Sequence, residues 1–196
     1  MRLLQDTSTR NSQLYAVLHR FLLTILPSPA LSAEVQRLRA LLHPAIGSFS
    51  GRNTPPHITL CFLDLPEAHE PAVIEAIARG TTGLQPFTLH YHGITHFPDK
   101  RTMYIDPVEK DAIGAVRAPV ISALKEDPTL REALRETDHP HLTIAAGLKP
   151  AQFDKAWGML APHALQSEER VGEVVLLKRP LQPGTIYEPV RSFPLG

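Results

Sequence analysis

Apolar residues follow two different periods along the chain, and the shorter period marks the strands. In residues 87–92, apolar and polar side chains alternate one by one, which is typical of a strand with one buried face. Alternation of this kind, or a short apolar run between turn residues, predicts strands at 14–26, 57–63, 87–92, 102–105, 139–146, 171–177 and 186–193. The last two strands are expected to form a closing hairpin across the turn at 182–184.

The longer, helical period predicts four helices between these strands. Apolar stripes favour helices at 30–42, 66–80, 111–136 and 150–162, the third of them interrupted near Asp127-Pro128. We expect Pro44 to end the first helix and Gly80 to end the second.

Two of the apolar runs contain the same tetrad, in which a histidine and a threonine are each followed by an apolar residue. The first tetrad is formed by residues 57–60 and the second by residues 141–144. Because side chains alternate between the two faces of a strand, His57 and Thr59 share one face, about 6–7 Å apart along the strand, and so do His141 and Thr143. Two imidazoles and two hydroxyls that face each other could surround a phosphate.

The two tetrads occupy equivalent places in an internal repeat. His57 and His141 are 84 residues apart, as are Phe87 and Val171, each of which opens a β-like run. The segment 102–108 also resembles the segment 185–190. We therefore expect each half to contain a strand with the tetrad, a helix, a strand, a turn and a strand, and the halves to face each other across a pseudo-twofold axis.

Composition limits the partners and the compartment. The 20 Lys and Arg residues balance the 20 Asp and Glu residues, so we expect no long duplex nucleic acid as partner but a nucleotide or a short RNA. Cys61 is the single cysteine. The chain therefore cannot form an intramolecular disulfide, which favours a reducing, cytoplasmic location. No apolar stretch is long enough to cross a membrane, and we expect a monomer.

The domain organisation is simple. Residues 1–13 are polar and are expected to form a flexible tail, and residues 14–196 are expected to form a single domain of two lobes, because no low-complexity linker separates the halves. An alternative is that residues 14–33 act as a signal peptide. His19 and Arg20 interrupt their apolar run, which favours an opening strand followed by the start of a helix.

The tetrads suggest acid–base chemistry without a metal. Histidine, with an unperturbed pKa of about 6.5, can give or take a proton near neutral pH, and threonine hydroxyls can donate to a charged oxygen. A metal site is the alternative that His90, His92, His96 and His139 raise, but no second cysteine accompanies them. We therefore expect neither a metal nor a cofactor.

The motifs resemble those of the two-histidine (2H) phosphoesterase superfamily, in particular its 2′-5′ RNA ligase and RNA 2′,3′-cyclic phosphodiesterase group. The resemblance extends from about residue 14 to the end of the chain, and rests on the two tetrads together with the segments 94–101, 176–187 and 193–195. It implies an α+β fold with two lobes, in which two pseudo-twofold-related antiparallel sheets, flanked by helices, enclose a central cleft.

The resemblance also implies roles for individual residues. His57 and His141 would be the acid and the base, in an order that a symmetric pair leaves open, and Thr59 and Thr143 would bind the phosphate. Candidate substrate-binding residues are Phe97, Arg101, Lys178, Arg179 and Tyr187. Core positions for the two aromatic residues, and solvated positions for the three cations, are the alternatives.

Three functions remain open at this point. The first is hydrolysis, or reversible ligation, of 2′,3′-cyclic or 2′-5′ phosphodiesters of RNA ends or oligonucleotides. The second is a phosphodiesterase that acts on another small cyclic nucleotide or an ADP-ribose derivative. The third is a non-catalytic RNA-binding module, against which the intact histidines and threonines of both tetrads argue.

Overall fold

The computed structural model of the chain describes residues 17–97 and 99–196. Its strands are β1 (Leu18–Ile25), β2 (Ile58–Pro66), β3 (Phe87–Phe97), β4 (Thr102–Pro107), β5 (Leu134–Glu136), β6 (Leu142–Ala145), β7 (Gln166–Val171), β8 (Glu173–Pro180) and β9 (Glu188–Pro194). Its helices are α1 (Pro29–Ile46), α2 (Glu70–Thr81), α3 (Lys110–Glu126), α4 (Pro128–Ala133) and α5 (Pro150–Leu160), with a 3₁₀ turn at Glu67–His69. The predicted tail at 1–13 lies outside the described residues.

The strands form one antiparallel sheet whose order is symmetric about its centre. The order is β7-β3-β4-β6-β2-β1-β8-β9, with β5 paired to β2. One half of the sheet is β2-β1-β8-β9 and the other is β6-β4-β3-β7, and the halves meet where Ile58 of β2 pairs with Leu142 of β6. The α+β class and the pseudo-twofold relation are confirmed, although the two expected sheets are joined in one.

The internal repeat differs from the predicted one. The repeated unit is strand–helix–strand–helix–strand, which is β1-α1-β2-α2-β3 in the first copy and β4-α3-β6-α5-β8 in the second. The third strand of each copy lies in the opposite half of the sheet, since β3 pairs with β4 and β8 pairs with β1. The predicted equivalence of 102–108 with 185–190 is therefore wrong, because β4 is an interior strand that opens the second copy, whereas β9 is an edge strand.

Helices cover one face of the sheet, and each half is covered by a helix from the other. Helix α1 packs on β6 and α5, and α3 packs on β2 and α2. The buried core between helices and sheet includes Phe21, Leu38, Leu60, Val120 and Ile144, all fully buried. Strand β1 lies inside the sheet between β2 and β8, which supports its interpretation as a strand rather than a signal peptide. None of the helices within 17–97 and 99–196 has the length and apolarity that a membrane span requires.

Several helices and strands begin or end at other residues than predicted. Helix α1 continues through Pro44 to Ile46 and ends at Gly47, whose φ is +75°; the missing N–H of Pro44 costs a single bond in the last turn. Strand β2 extends to Pro66, which delays the start of α2. The predicted helix over 111–136 ends earlier, because residues 134–136 pair with β2 as β5. Strand β7, with the polar sequence QSEERV, was not predicted.

We expected Gly80 to end α2, but it lies within the helix, at the contact with α3. A Cβ at this position would come within 2.5 Å of the Cα of Val120 and within 2.9 Å of its backbone nitrogen. The glycine therefore permits the close approach of two helices.

We predict that Gly80→Ala destabilises the protein by about 1–3 kcal/mol, because backbone atoms of α3 must move to accept the methyl group. The matched control is Gly158→Ala in α5, where nothing lies within 4 Å of the added Cβ; it should stabilise the protein by about 0.5–1 kcal/mol. Urea unfolding of both variants measures the difference, and equal stabilities would contradict the packing role of Gly80.

Candidate active site

The pairing at the centre of the sheet brings the two tetrads together. Ile58 and Leu142 are paired, and both are fully buried in the main core. In an antiparallel pair, this register sets His57 beside Thr143 and Thr59 beside His141. All four side chains project from the face opposite to the core and are half-buried. The structure thus brings together all four residues that the tetrads singled out.

Both histidines are held in the same way by a backbone carbonyl. His57 Nδ1 lies 2.7 Å from the carbonyl oxygen of Pro55, and His141 Nδ1 lies 2.7 Å from that of His139. A carbonyl oxygen can only accept a hydrogen bond, so Nδ1 carries the proton in each ring. In the neutral ring, Nε2 is then left with a lone pair for chemistry.

A proline before each histidine helps to fix this carbonyl. Pro56 precedes His57 and Pro140 precedes His141, and the residue before a proline is restricted to extended conformations. That residue supplies the accepting carbonyl in both cases. The sequence analysis missed this feature, although the repeated motif Pro-His-apolar-Thr-apolar is visible in the sequence.

The surroundings favour the neutral form of both rings. Burial lowers the pKa of His57, and the charges of Arg39 and His141 add to this effect, while the carbonyl of Pro55 opposes it. Burial likewise lowers the pKa of His141, against the opposing carbonyl of His139. Near pH 7 and without a bound anion, each imidazole can therefore accept a proton.

Arg39 is a second feature that the sequence analysis missed. It lies in α1, is only 3% exposed, and donates to the carbonyls of Thr54, Thr143 and Ile144. Burial lowers the pKa of Arg39 to about 10, so the guanidinium stays charged at neutral pH. Because Arg39 lies four residues after Val35, within the apolar stripe of α1, its burial could have been predicted from the sequence.

The half of the site around His141 is aromatic. The ring of Phe97 stacks on Tyr104 with centroids 4.3 Å apart, and it meets His141 edge-on at 5.1 Å. His139 lies 4.9 Å from Phe97, and its Nε2 is 3.4 Å from the hydroxyl of Tyr104 and 3.7 Å from Asp106. The predicted site residue Phe97 thus contacts a histidine of the pair.

The half around His57 is more polar and holds a cavity. Tyr187 lies 6.5 Å from His57, and the guanidinium of Arg179 lies 5.1 Å above the Tyr187 ring. These residues, with Asn53, Thr54 and the segment 184–186, line a cavity of about 380 Å³. Beside it, Arg20 forms a two-bonded pair with Asp64, at 2.7 and 2.8 Å. The structure therefore places Arg179 and Tyr187 beside His57.

Two of the predicted substrate-binding residues, Lys178 and Arg101, make contacts elsewhere in the structure. Lys178 neighbours Arg179 on β8 and so faces the other side of the sheet, where its ammonium lies 2.6 Å from both Glu67 and Glu70. Arg101 is exposed, has a φ of +45°, and donates from Nε to the carbonyl of Leu148 at 2.8 Å. These contacts correct the prediction for Lys178 and give Arg101 a role in the β3–β4 turn.

The four remaining histidines of the sequence analysis are dispersed. His90 binds Glu109 at 2.6 Å on the surface, whereas His96 packs between Phe153 and Trp157 on the helix-covered face. His139 lies in the cleft, and His92 is exposed on β3. Within 17–97 and 99–196, no group of three or more His, Cys, Asp or Glu side chains is arranged to hold a metal ion. Burial raises the pKa of Cys61 to about 12, which makes it a core thiol rather than a nucleophile.

Sequence comparisons point to one family. A profile described as the 2′-5′ RNA ligase superfamily matches residues 27–182, which include both tetrads. Two bacterial relatives bear the name "Putative phosphoesterase". The one from Halalkalibacterium halodurans is 30% identical over 146 residues, which cover 72% of this chain and 80% of that protein. The one from Shouchella clausii is 28% identical over 129 residues, which cover 65% and 73%.

Solved structures share the fold. TT0787 of Thermus thermophilus matches with a TM-score of 0.66 at 19% identity, over 90% of this chain and 97% of that one. LigT of E. coli in complex with 3′-AMP matches with a TM-score of 0.56 at 16% identity, over 91% and 98%.

The site predicts how its histidines titrate. We expect His57 and His141 to titrate below the ordinary value of about 6.5, and His90 above it, because the Glu109 carboxylate stabilises its charged form. The contribution of the two lowered histidines to stability is then present above pH 6.5 and is lost as the pH falls, because the unfolded chain binds more protons. NMR titration of the ring signals measures all three; a value for His57 or His141 above that of His90 would contradict the analysis.

Proposed function

The chain belongs to the 2′-5′ RNA ligase superfamily, and we propose that it is a metal-independent phosphodiesterase that hydrolyses, or reversibly ligates, 2′,3′-cyclic or 2′-5′ phosphodiesters of RNA ends or oligonucleotides. One observation carries this proposal. The pairing of Ile58 with Leu142 sets two histidines, each with its Nδ1 bound to a carbonyl, beside two threonine hydroxyls on one face of the sheet.

The four side chains supply what hydrolysis of a cyclic phosphodiester needs. One neutral imidazole takes a proton from water as the water oxygen bonds to phosphorus. The other imidazole, protonated at Nε2, gives its proton to the ribose oxygen whose bond to phosphorus breaks. Thr59 and Thr143 donate to the non-bridging oxygens, where negative charge accumulates. The protons are exchanged with solvent after product release.

Binding of the substrate itself prepares the acid. Both histidines favour the neutral form in the free protein, but an anionic phosphate between them raises the pKa of the ring that it contacts. One ring can then carry the proton that the leaving oxygen takes. The charge of that ring in turn keeps the other neutral, because two like charges at close range oppose each other.

The cleft supports a nucleotide or a short RNA as substrate. Phe97 stacks on Tyr104 with one face and lies near His141; a base that displaced Lys100 from above the ring could stack on the other face, a contact that contributes about 1–3 kcal/mol. Arg179 and Tyr187 line the cavity next to His57, where a ribose or a second phosphate could lie. Structures of LigT of E. coli in complex with 3′-AMP and with ATP agree with a nucleotide ligand.

The proposal is tested by incubating the protein with 2′,3′-cyclic mononucleotides and with 2′-5′ and 3′-5′ oligonucleotides in the presence of EDTA. We expect cleavage of cyclic or 2′-5′ substrates at an undiminished rate, since two imidazoles replace the metal. Chromatography of the products shows which ribose oxygen is released. Loss of turnover with EDTA that a divalent ion restores would refute the metal-free mechanism, and inactivity towards every substrate would refute the activity.

Substitutions test the roles of the tetrads. His57→Ala and His141→Ala should each lower kcat by about 10²–10⁴-fold, and the double variant should be little worse, because the two residues act as a unit. Thr59→Val and Thr143→Val should lower kcat by about 10²–10³-fold. The matched control is His90→Ala, a surface histidine outside the cleft. A folded His57→Ala or His141→Ala variant that keeps the turnover of the control would exclude the paired mechanism.

A further inference from the structure

The buried guanidinium of Arg39 connects the loop before His57 to β6, in addition to the backbone pairing of Ser50 with Ala146. Its Nη1 lies 2.6 Å from the carbonyl oxygen of Thr54, in the loop that leads to His57. Its Nη2 and Nε lie 2.8 and 3.1 Å from the carbonyl oxygens of Thr143 and Ile144 in β6. One rigid, planar group thus binds both the loop that leads to the first tetrad and the backbone of the second tetrad.

A simple contribution to stability does not account for this arrangement. Removing a guanidinium from water is costly, and in buried ion pairs the attraction of an opposite charge offsets part of that cost. All three bonds of Arg39 go to neutral carbonyls rather than to a carboxylate. The planar fork of arginine, with five donors in fixed directions, is suited to hold several acceptors in one geometry.

In the other half of the sheet, a threonine hydroxyl instead of a guanidinium binds the carbonyls of the tetrad. There, Thr137 Oγ1 lies 3.1 Å from the carbonyl oxygen of Thr59 and 3.3 Å from that of Leu60. These are the counterparts of the Thr143 and Ile144 carbonyls in the second tetrad. The backbone of each tetrad therefore accepts hydrogen bonds from a side chain. The first tetrad accepts them from the Thr137 hydroxyl, and the second from Arg39, which also binds Thr54 of the other half.

We propose that Arg39 is a positioning residue for the reaction: it fixes the loop before His57 against β6, so that His57 and Thr143, which come from different halves, face the same phosphate. This inference rests on the proposed function. Because the loop continues through Pro55, whose carbonyl binds His57 Nδ1, displacement of Thr54 would also disturb the orientation of the imidazole.

The charge of Arg39 has a second effect, on the protonation of His57. It adds to the burial that lowers the pKa of this ring. The other titratable or charged groups that face His57 are His141 of β6, and Arg179 and Tyr187 at the shared cavity. Loss of the guanidinium therefore raises the pKa of His57 towards its ordinary value, while His141 keeps its own.

The test compares Arg39→Lys and Arg39→Ala with the matched control Arg37→Ala, which removes an exposed arginine of the same helix that pairs with Glu34. A lysine keeps the charge but cannot reach three carbonyls, so Arg39→Lys should lower kcat by about 10²-fold with little change in KM. Arg39→Ala should show the same loss of kcat together with a raised His57 pKa. Millimolar guanidinium should restore kcat in Arg39→Ala and leave the control unchanged.

NMR separates this inference from the proposed function. The Nδ1–H signal of His57 reports its bond to Pro55, and the corresponding signal of His141 serves as internal reference. We expect the His57 signal to broaden or shift in both Arg39 variants while that of His141 persists. If the wild-type protein cleaves no substrate, the proposed function fails, and the His57 signal and titration still decide the inference.

Three results would overturn the inference. One is a folded Arg39→Lys variant with the kcat of the control. Another is guanidinium that restores the melting temperature of Arg39→Ala but not its kcat, which would mean a purely structural role. The third is an unchanged His57 signal in Arg39→Lys, which decides the question even if the alanine variant fails to fold.

Discussion

The contact between Ile58 and Leu142 is the constraint on which the site depends. Both side chains must enter the core, and a strand shifted by one residue would expose its whole apolar set. Because the tetrads alternate strictly, burial of Ile58 and Leu142 forces both histidines and both threonines onto the other face. The hydrophobic effect thereby brings four polar groups together, although they make no direct contact of their own that would hold them there. The register of β2 against β6, on which the geometry of the candidate site depends, is therefore set by apolar residues.

Backbone carbonyls determine the chemical state of the site. The carbonyls of Pro55 and His139 select the tautomer of the two histidines. The carbonyls of Thr143 and Ile144 accept hydrogen bonds from Arg39. A carbonyl is neutral and is held by the main chain, so it orients a ring without adding a charge that would compete with a phosphate. The carbonyls therefore orient the two imidazoles without placing a charge of their own beside them.

The positions of the tetrad side chains followed from the sequence more directly than the topology did. The tetrads identify His57, Thr59, His141 and Thr143 because strand alternation is a local property. Lys178 was assigned to the cleft together with its neighbour Arg179. Adjacent strand residues face opposite sides of the sheet, and the sequence does not show which side is the cleft. The exchange of β3 and β8 between the halves depends on long-range pairing, and the polar strand β7 has no apolar alternation to reveal it. Arg39 was overlooked because a single charged residue within the apolar stripe of α1 was not recognised as buried.

The exchange of third strands has a consequence for how this chain must fold. Strand β1 is paired on one side with β8, so that Arg20 lies opposite Arg179, almost the whole length of the described chain away. Neither copy of the repeat can complete its own half of the sheet, and two separately expressed copies would each lack an interior neighbour. Pairing at such separation carries a large loop-closure entropy and slows folding. On the ribosome, β1 would be made early but would have to wait for β8 before both of its edges are paired.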